Sequence, residues 1–242
     1  MSDRAMGNRN LILIAVAILA IGIVAGGYLL GDGLRRARMA DRAVTMRGLA
    51  ERNVTADLAT WSLNFTASGT DLAEVQAKID RDQRTIQQFF RAAGFPANVL
   101  SDGGGTINTV YDSDRQANII TINRSLGFRT NDVMRAQRAY LRQFDLIRSG
   151  VQLDGSGMSY SFTRLNDVKP EMIGESIQDA RRAAERFAQD SGASVGAIRS
   201  ATQGYFSIGA RDGDADGEGG GGSTATPLQK VRVVTTIEFY LS

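Results

Sequence analysis

The chain has 242 residues and contains neither cysteine nor histidine. It can therefore build no disulfide, no thiolate nucleophile and no zinc site of the Cys/His kind. The most frequent general acid–base side chain is missing as well. A chain without thiols suits an oxidising compartment, where a stray thiol is a liability. An excess of one charge is also absent: 28 basic residues against 26 acidic ones leave +2 at pH 7. No basic field for nucleic acid follows from that total. Lysine is scarce, with only Lys78, Lys169 and Lys230. Each lies in a polar helical or strand-start context, which reads as solvated surface rather than a Schiff-base site.

What is present begins with one uncharged run, LILIAVAILAIGIVAGGYLLG, from Leu11 to Gly31. About 20 apolar residues at 1.5 Å each cross a bilayer core of about 30 Å. The run is apolar all round, unlike a surface helix, and is longer than the h-region of a cleaved signal. No A-x-A-like site follows it, so the reading is an uncleaved membrane anchor. Residues 1–10 then form a short cytoplasmic tail, 11–31 the span, 32–42 a juxtamembrane linker and 43–242 one soluble domain. Arg35, Arg36, Arg38 and Arg42 after the span would retain that domain in the cytoplasm by the positive-inside rule, a rule that weakens for long translocated domains.

The domain alternates between periods of 2 and 3.6. Ala59, Trp61, Leu63, Phe65 and Ala67 share one strand face, with a partner strand before them that turns near Asn53. Leu72, Val75, Ile79, Ile86, Phe89, Phe90 and Ala93 fall at helical spacing, capped by Asp71 and Glu74 and stopped by Gly94 and Pro96. Strand-like runs follow over 98–111 and 118–128, joined by a polar turn at 112–116. A helix over 131–150 carries Val133, Ala136, Tyr140, Phe144 and Ile147. After a strand from Val151 comes a second long helix, with Pro170 in its first turn and Ile173, Ile177, Ala180, Ala184 and Phe187 as its buried stripe. Another strand starts at Ala197. The last one places Val231, Val233, Thr235, Ile237, Phe239 and Leu241 on one face. Alternating strands favour sheets with one covered face. The expected class is α+β: a largely antiparallel sheet with helices on one side, roughly two β-α-β-β units, plus the N-terminal transmembrane helix.

Candidate sites are few. Asp179 and Glu185 could be imagined as paired carboxylates, but they read as the solvated side of a helix. SDGGGT at 101–106 lacks the phosphate-loop spacing and reads as an irregular strand or bulge. Residues 209–227 form an acidic, glycine-rich loop. Within it Asp212, Asp214, Asp216 and Gly217 match the first half of an EF-hand loop. The twelfth position is Ser223 where a bidentate Glu belongs, and neither flank reads as helix. A flexible linker is the simpler account; these three aspartates are the one weak metal candidate. No catalytic residue and no cofactor is expected.

From Val44 to Leu241 the order and wording of these elements resemble the SIMPL-domain family. Gly48, Asp57 and Ala59 fit its opening pattern, while Glu51 and Ala56 depart from it; proline is usual at the latter. DARRAAERFAQDSGASVGAI, from Asp179 to Ile198, is the most family-like stretch, and the closing VRVVTTIEFYL strand completes the match. The resemblance implies an exported envelope protein with no shared catalytic constellation, in a family with ring- or channel-forming oligomers and links to stress response. It tips the topology toward a single-pass inner-membrane protein with the domain in the periplasm. The expected function is non-enzymatic: self-association as a homo-oligomer, or partner binding, with no nucleic acid. The alternative is a periplasmic sensor for a cation or small ligand, with the acidic loop as its site.

Overall fold

A computed structural model describes residues 20, 22–24, 26–31, 42–212 and 223–242. Residues 11–19, 21 and 25 of the expected span lie outside that set, as do 213–222 of the acidic loop. Among the described residues no helix is long and apolar enough to cross a membrane. The domain is α+β, in this order: β1 (Ala43–Thr55), β2 (Leu58–Gly69), α1 (Leu72–Ala92), a 3₁₀ turn (Ala97–Val99), β3 (Leu100–Asp112), β4 (Ala117–Thr130), α2 (Val133–Leu141), α3 (Phe144–Arg148), β5 (Leu153–Ser161), α4 (Leu165–Ser191), β6 (Val195–Gln203), β7 (Ser207–Ala210), β8 (Ser223–Thr224) and β9 (Leu228–Leu241). The strands form two sheets rather than one: β3-β4-β2-β5-β8, and β1-β9-β6 with β7 also on β9.

The chain divides into two compact units. The larger comprises Ala50–Glu175 and Gly204–Val234. In it β2 lies between β4 and β5, antiparallel to both. Its alternation is as the sequence requires: Ala59, Trp61, Leu63, Phe65 and Ala67 are all buried. That face packs on α1 through Val75, Ile79, Ile86 and Phe90. Asp71 caps the helix, its Oδ1 accepting from the backbone N–H groups of Ala73 and Glu74, which satisfies donors a helix start leaves orphaned. Gly94 leaves the helix at φ 84°, a conformation open chiefly to glycine. Trp61 stands among Phe89, Phe90, Phe128 and Tyr140, with ring centroids 5.2–6.3 Å away and edges to faces. Its indole Nε1 donates to Ser156 Oγ at 2.8 Å.

The smaller unit comprises Met1–Leu49, Ser176–Gln203 and Thr235–Ser242. Ala180 and Ala184 of α4 pack there against Ile237 and Phe239 of β9.

Four expectations are corrected. β1 runs through Asn53, and the chain reverses at Ala56 and Asp57 instead. The single helix over 131–150 is two, α2 and α3, and its buried residues include Ala139 and Leu146 while Phe144 and Ile147 are exposed. A break at 142–143 resets the 3.6 phase, so the stripe does not continue through it. α4 starts at Leu165, which puts Pro170 inside the helix. Its most buried line is Met172, Ser176, Ala180, Ala184 and Ala188, whereas Phe187 is exposed. Small residues win that face because a strand comes too close for large ones.

Candidate functional site

The closest approach of that kind involves Gly48, the first glycine of the family-like opening. A Cβ built there would lie 1.8 Å from the Ser176 carbonyl oxygen and 2.6 Å from the Ala180 nitrogen. Only glycine lets β1 and α4 meet at this distance. Two polar contacts fix the crossing. Asp179 Oδ2 accepts from the Leu49 backbone N–H at 3.0 Å, and the hydroxyls of Ser176 and Thr235 lie 2.7 Å apart, both buried. The Leu49 N–H bond holds the Asp179 carboxyl below its usual range, and Arg182 adds to this against the opposing effect of burial. Asp179 is therefore a structural bracket. Its imagined partner Glu185 is exposed.

Asp57, the second residue of the opening pattern, is a bracket of the same kind in the larger unit. Its Oδ1 accepts from both the N–H and the hydroxyl of Thr163 at 2.9 Å, and its Oδ2 from Arg164 Nε at 3.2 Å. Asn131 Nδ2 donates to its carbonyl at 2.8 Å. Burial would raise the Asp57 pKa, but the Thr163 and Arg164 bonds outweigh it and the net shift is downward. Asp57 and Asp179 thus each tie together two segments more than a hundred residues apart.

The three lysines are also accounted for. Lys78 Nζ bonds both oxygens of Asp82 and the Gly150 carbonyl. Lys169 bonds Asn166 Oδ1, and Lys230 lies 3.7 Å from Glu51. Asp82 was missed by sequence reasoning although it is only 5% exposed; its position among Val75, Ile79 and Ile86 on one helical face was the available signal. Of the metal candidates, Asp212 is exposed, and Asp214 and Asp216 lie outside the described residues. Ser223 is in β8, paired with Ser161. Among the described residues no three acidic side chains are grouped as a metal site.

A cleft of about 260 Å³ opens between α1 and the start of β3. Gln83, Gln87 and Arg91 project from successive turns of α1, and Phe90, Phe95 and Leu126 supply its apolar lining. Asp102 at the β3 side is held by Arg124 Nη2 at 2.6 Å. Amides and one guanidinium can hold a small polar ligand; of the lining hydroxyl and carboxylate, Ser101 Oγ donates to the Gly127 carbonyl at 3.2 Å and Asp102 is engaged by Arg124. The glycines at 103–105 make an irregular strand as expected, with a register shift between Asp102 and Gly105.

Beyond that shift β3 pairs on one side only, with β4, among the described residues. Residues 101–111 are exposed on both faces, with Ile107 at 63%, Val110 at 58% and Tyr111 at 63%. From Gly103 to Tyr111 there is no charge and no proline, so beyond the irregularity at 103–105 the usual devices that blunt a sheet edge are missing.

The model of the SIMPL family, described as a protein of unknown function (DUF541), matches residues 44–239. The chain belongs to the SIMPL family. No curated protein matches this SIMPL chain. Among solved structures it is similar to a hydrolase from Listeria innocua, at 15% identity over 79% of this chain and 91% of that one, with a TM-score of 0.17. A likeness that low carries no argument about fold or activity. The SIMPL assignment and the antiparallel α+β architecture agree with the expectations from sequence.

Proposed function

We propose that this SIMPL protein is an envelope protein, anchored by residues 11–31 with its domain in the periplasm, that works by self-association and not by catalysis, in a setting of envelope stress. The observation that supports self-association is the β3 edge. Antiparallel pairing of two copies about Thr109 sets Ile107 of each against Tyr111 of the other and Asn108 against Val110. A β-branched residue facing an aromatic one is among the favourable cross-strand pairs, and a two-fold axis supplies it twice. All three exposed apolar side chains of the strand are then covered.

Light scattering of the detergent-solubilised full chain tests this. A defined multi-subunit particle is expected, and Thr109→Lys, which sets a cation against its own copy, should break it into smaller species. A monomer at all concentrations overturns the reading. A reporter active only outside the cytoplasm, fused after Ser242, tests topology; activity of a cytoplasm-only reporter instead refutes the periplasmic placement.

The cleft favours a second reading, a small-ligand sensor. A thermal-shift screen of polar metabolites would support it if hits are lost on Gln87→Ala, because a ligand raises stability only by binding the native state.

A further inference from the structure

Among the described residues nothing covers the outer surface of the α2–α3 corner. Val133, Ala136 and Ala139 turn inward, while Met134 and Leu141 are 47% and 74% exposed. Met134, Arg138 and Leu141 are spaced i, i+4, i+7 and so share one line on α2. Just beyond, Phe144 and Ile147 of α3 are 61% and 48% exposed. Four arginines, 135, 138, 142 and 148, are exposed among these apolar side chains. Two carboxylates answer them: Asp132 pairs with Arg135, and Asp145 with both Arg142 and Arg148. Two positive charges are left over, and Arg138 has no acidic partner among the described residues.

We infer that this corner docks on an anionic lipid surface. The buried centre of a protein interface is depleted in charge, but here arginines are interleaved with the apolar residues along the same short segment. A bilayer boundary accepts that mixture: leucine, phenylalanine and methionine enter the acyl margin while guanidinium groups reach back to phosphates. Polybasic surface of this kind is attracted to anionic headgroups. This surface chemistry does not rest on the anchor reading.

The absence of cysteine allows one unique label. The full chain carrying Leu141→Cys, labelled with an environment-sensitive dye, is mixed with vesicles containing nitroxide lipid just below the headgroups. The vesicles are either equimolar phosphatidylglycerol and phosphatidylcholine or phosphatidylcholine alone. The label should shift to the blue and be quenched only with the anionic vesicles. Arg138→Gln should lower that partitioning about fivefold, and a label at the exposed Glu185→Cys on α4 should stay aqueous. Buried Trp61 emission confirms that each variant is folded. A Leu141 label that stays aqueous overturns the inference. So does quenching that ignores lipid charge, and so does a blue shift without quenching, which would mean that protein covers the corner. Flotation after alkaline carbonate extraction reports the anchor separately, so loss of one result leaves the other readable.

Discussion

Gly48→Ala adds one methyl group where the structure has no room for it. The new carbon would sit 1.8 Å from the Ser176 oxygen and 2.9 Å from the Ala180 Cβ. Ordinary contact begins near 3.4 Å, so strand and helix must separate by about 1.6 Å, the difference between the two distances. Backbone atoms on both sides leave no flexible side chain to give way. A separation of that size carries the 2.7 Å Ser176–Thr235 contact and the 3.0 Å Leu49–Asp179 bond out of range. Overpacking costs about 1–3 kcal/mol, and a buried hydroxyl without a partner adds about 1–3 kcal/mol. The expected loss is roughly 2–6 kcal/mol, a large share of the 5–15 kcal/mol that holds a typical domain. The melting temperature should fall on the order of 10 °C, and the denaturant midpoint should drop at unchanged slope. Gly174→Ala is the control, because nothing lies within 4 Å of a Cβ there. On the same helix it should stabilise by about 0.5–1 kcal/mol. If Gly48→Ala melts with the wild type, the close approach is not what the glycine is for.

Trp61→Ala should cost about 3–5 kcal/mol, since the indole is fully buried among four rings; a wild-type denaturation midpoint would refute its place in the core. Asp57→Ala should cost about 1–3 kcal/mol, because Thr163 loses two bonds to a charged acceptor; chemical denaturation measures it. The carboxyls of Asp57 and Asp179 are both depressed on folding, so their contribution is complete above the unfolded carboxylate pKa near 4 and is lost as pH falls through the lower folded values. Stability should be insensitive to these two groups from pH 5 to 8 and should fall more steeply below about pH 4 in the wild type than in Asp57→Asn. Calcium at millimolar concentration should leave the melting temperature of the full chain unchanged, since the position that ought to supply the bidentate carboxylate is Ser223, committed to β8. A rise abolished by Asp214→Asn would overturn that expectation.

Period and punctuation decided much of this protein from sequence. The alternation from Ala59 to Ala67 and from Val231 to Phe239 fixes which side chains are buried, because successive strand residues point to opposite faces whatever the sheet becomes. Asp71, Gly94 and Gly150 bound their helices through local bonds and local φ, which need no distant partner. Family membership was legible in residue order and wording, although Gly48 and Asp57 of its opening pattern act through partners more than a hundred residues away. What escaped the sequence was set by neighbours far along the chain. Nothing within residues 165–191 says that Met172, Ser176, Ala180, Ala184 and Ala188 form the fully buried line while the larger Ile173 and Ile177 are only partly buried and Phe187 is exposed; the approach of Gly48, more than a hundred residues earlier, decides it. Asp57 reads from sequence only as part of the family pattern; that Thr163 and Arg164 occupy its oxygens is decided by the fold. The one-sided pairing of β3 and the exposed outer surface of α2 and α3 among the described residues are likewise properties of strand order and helix placement. Hydrophobic pattern records which residues seek burial, but only the packing of distant segments determines which of them find it.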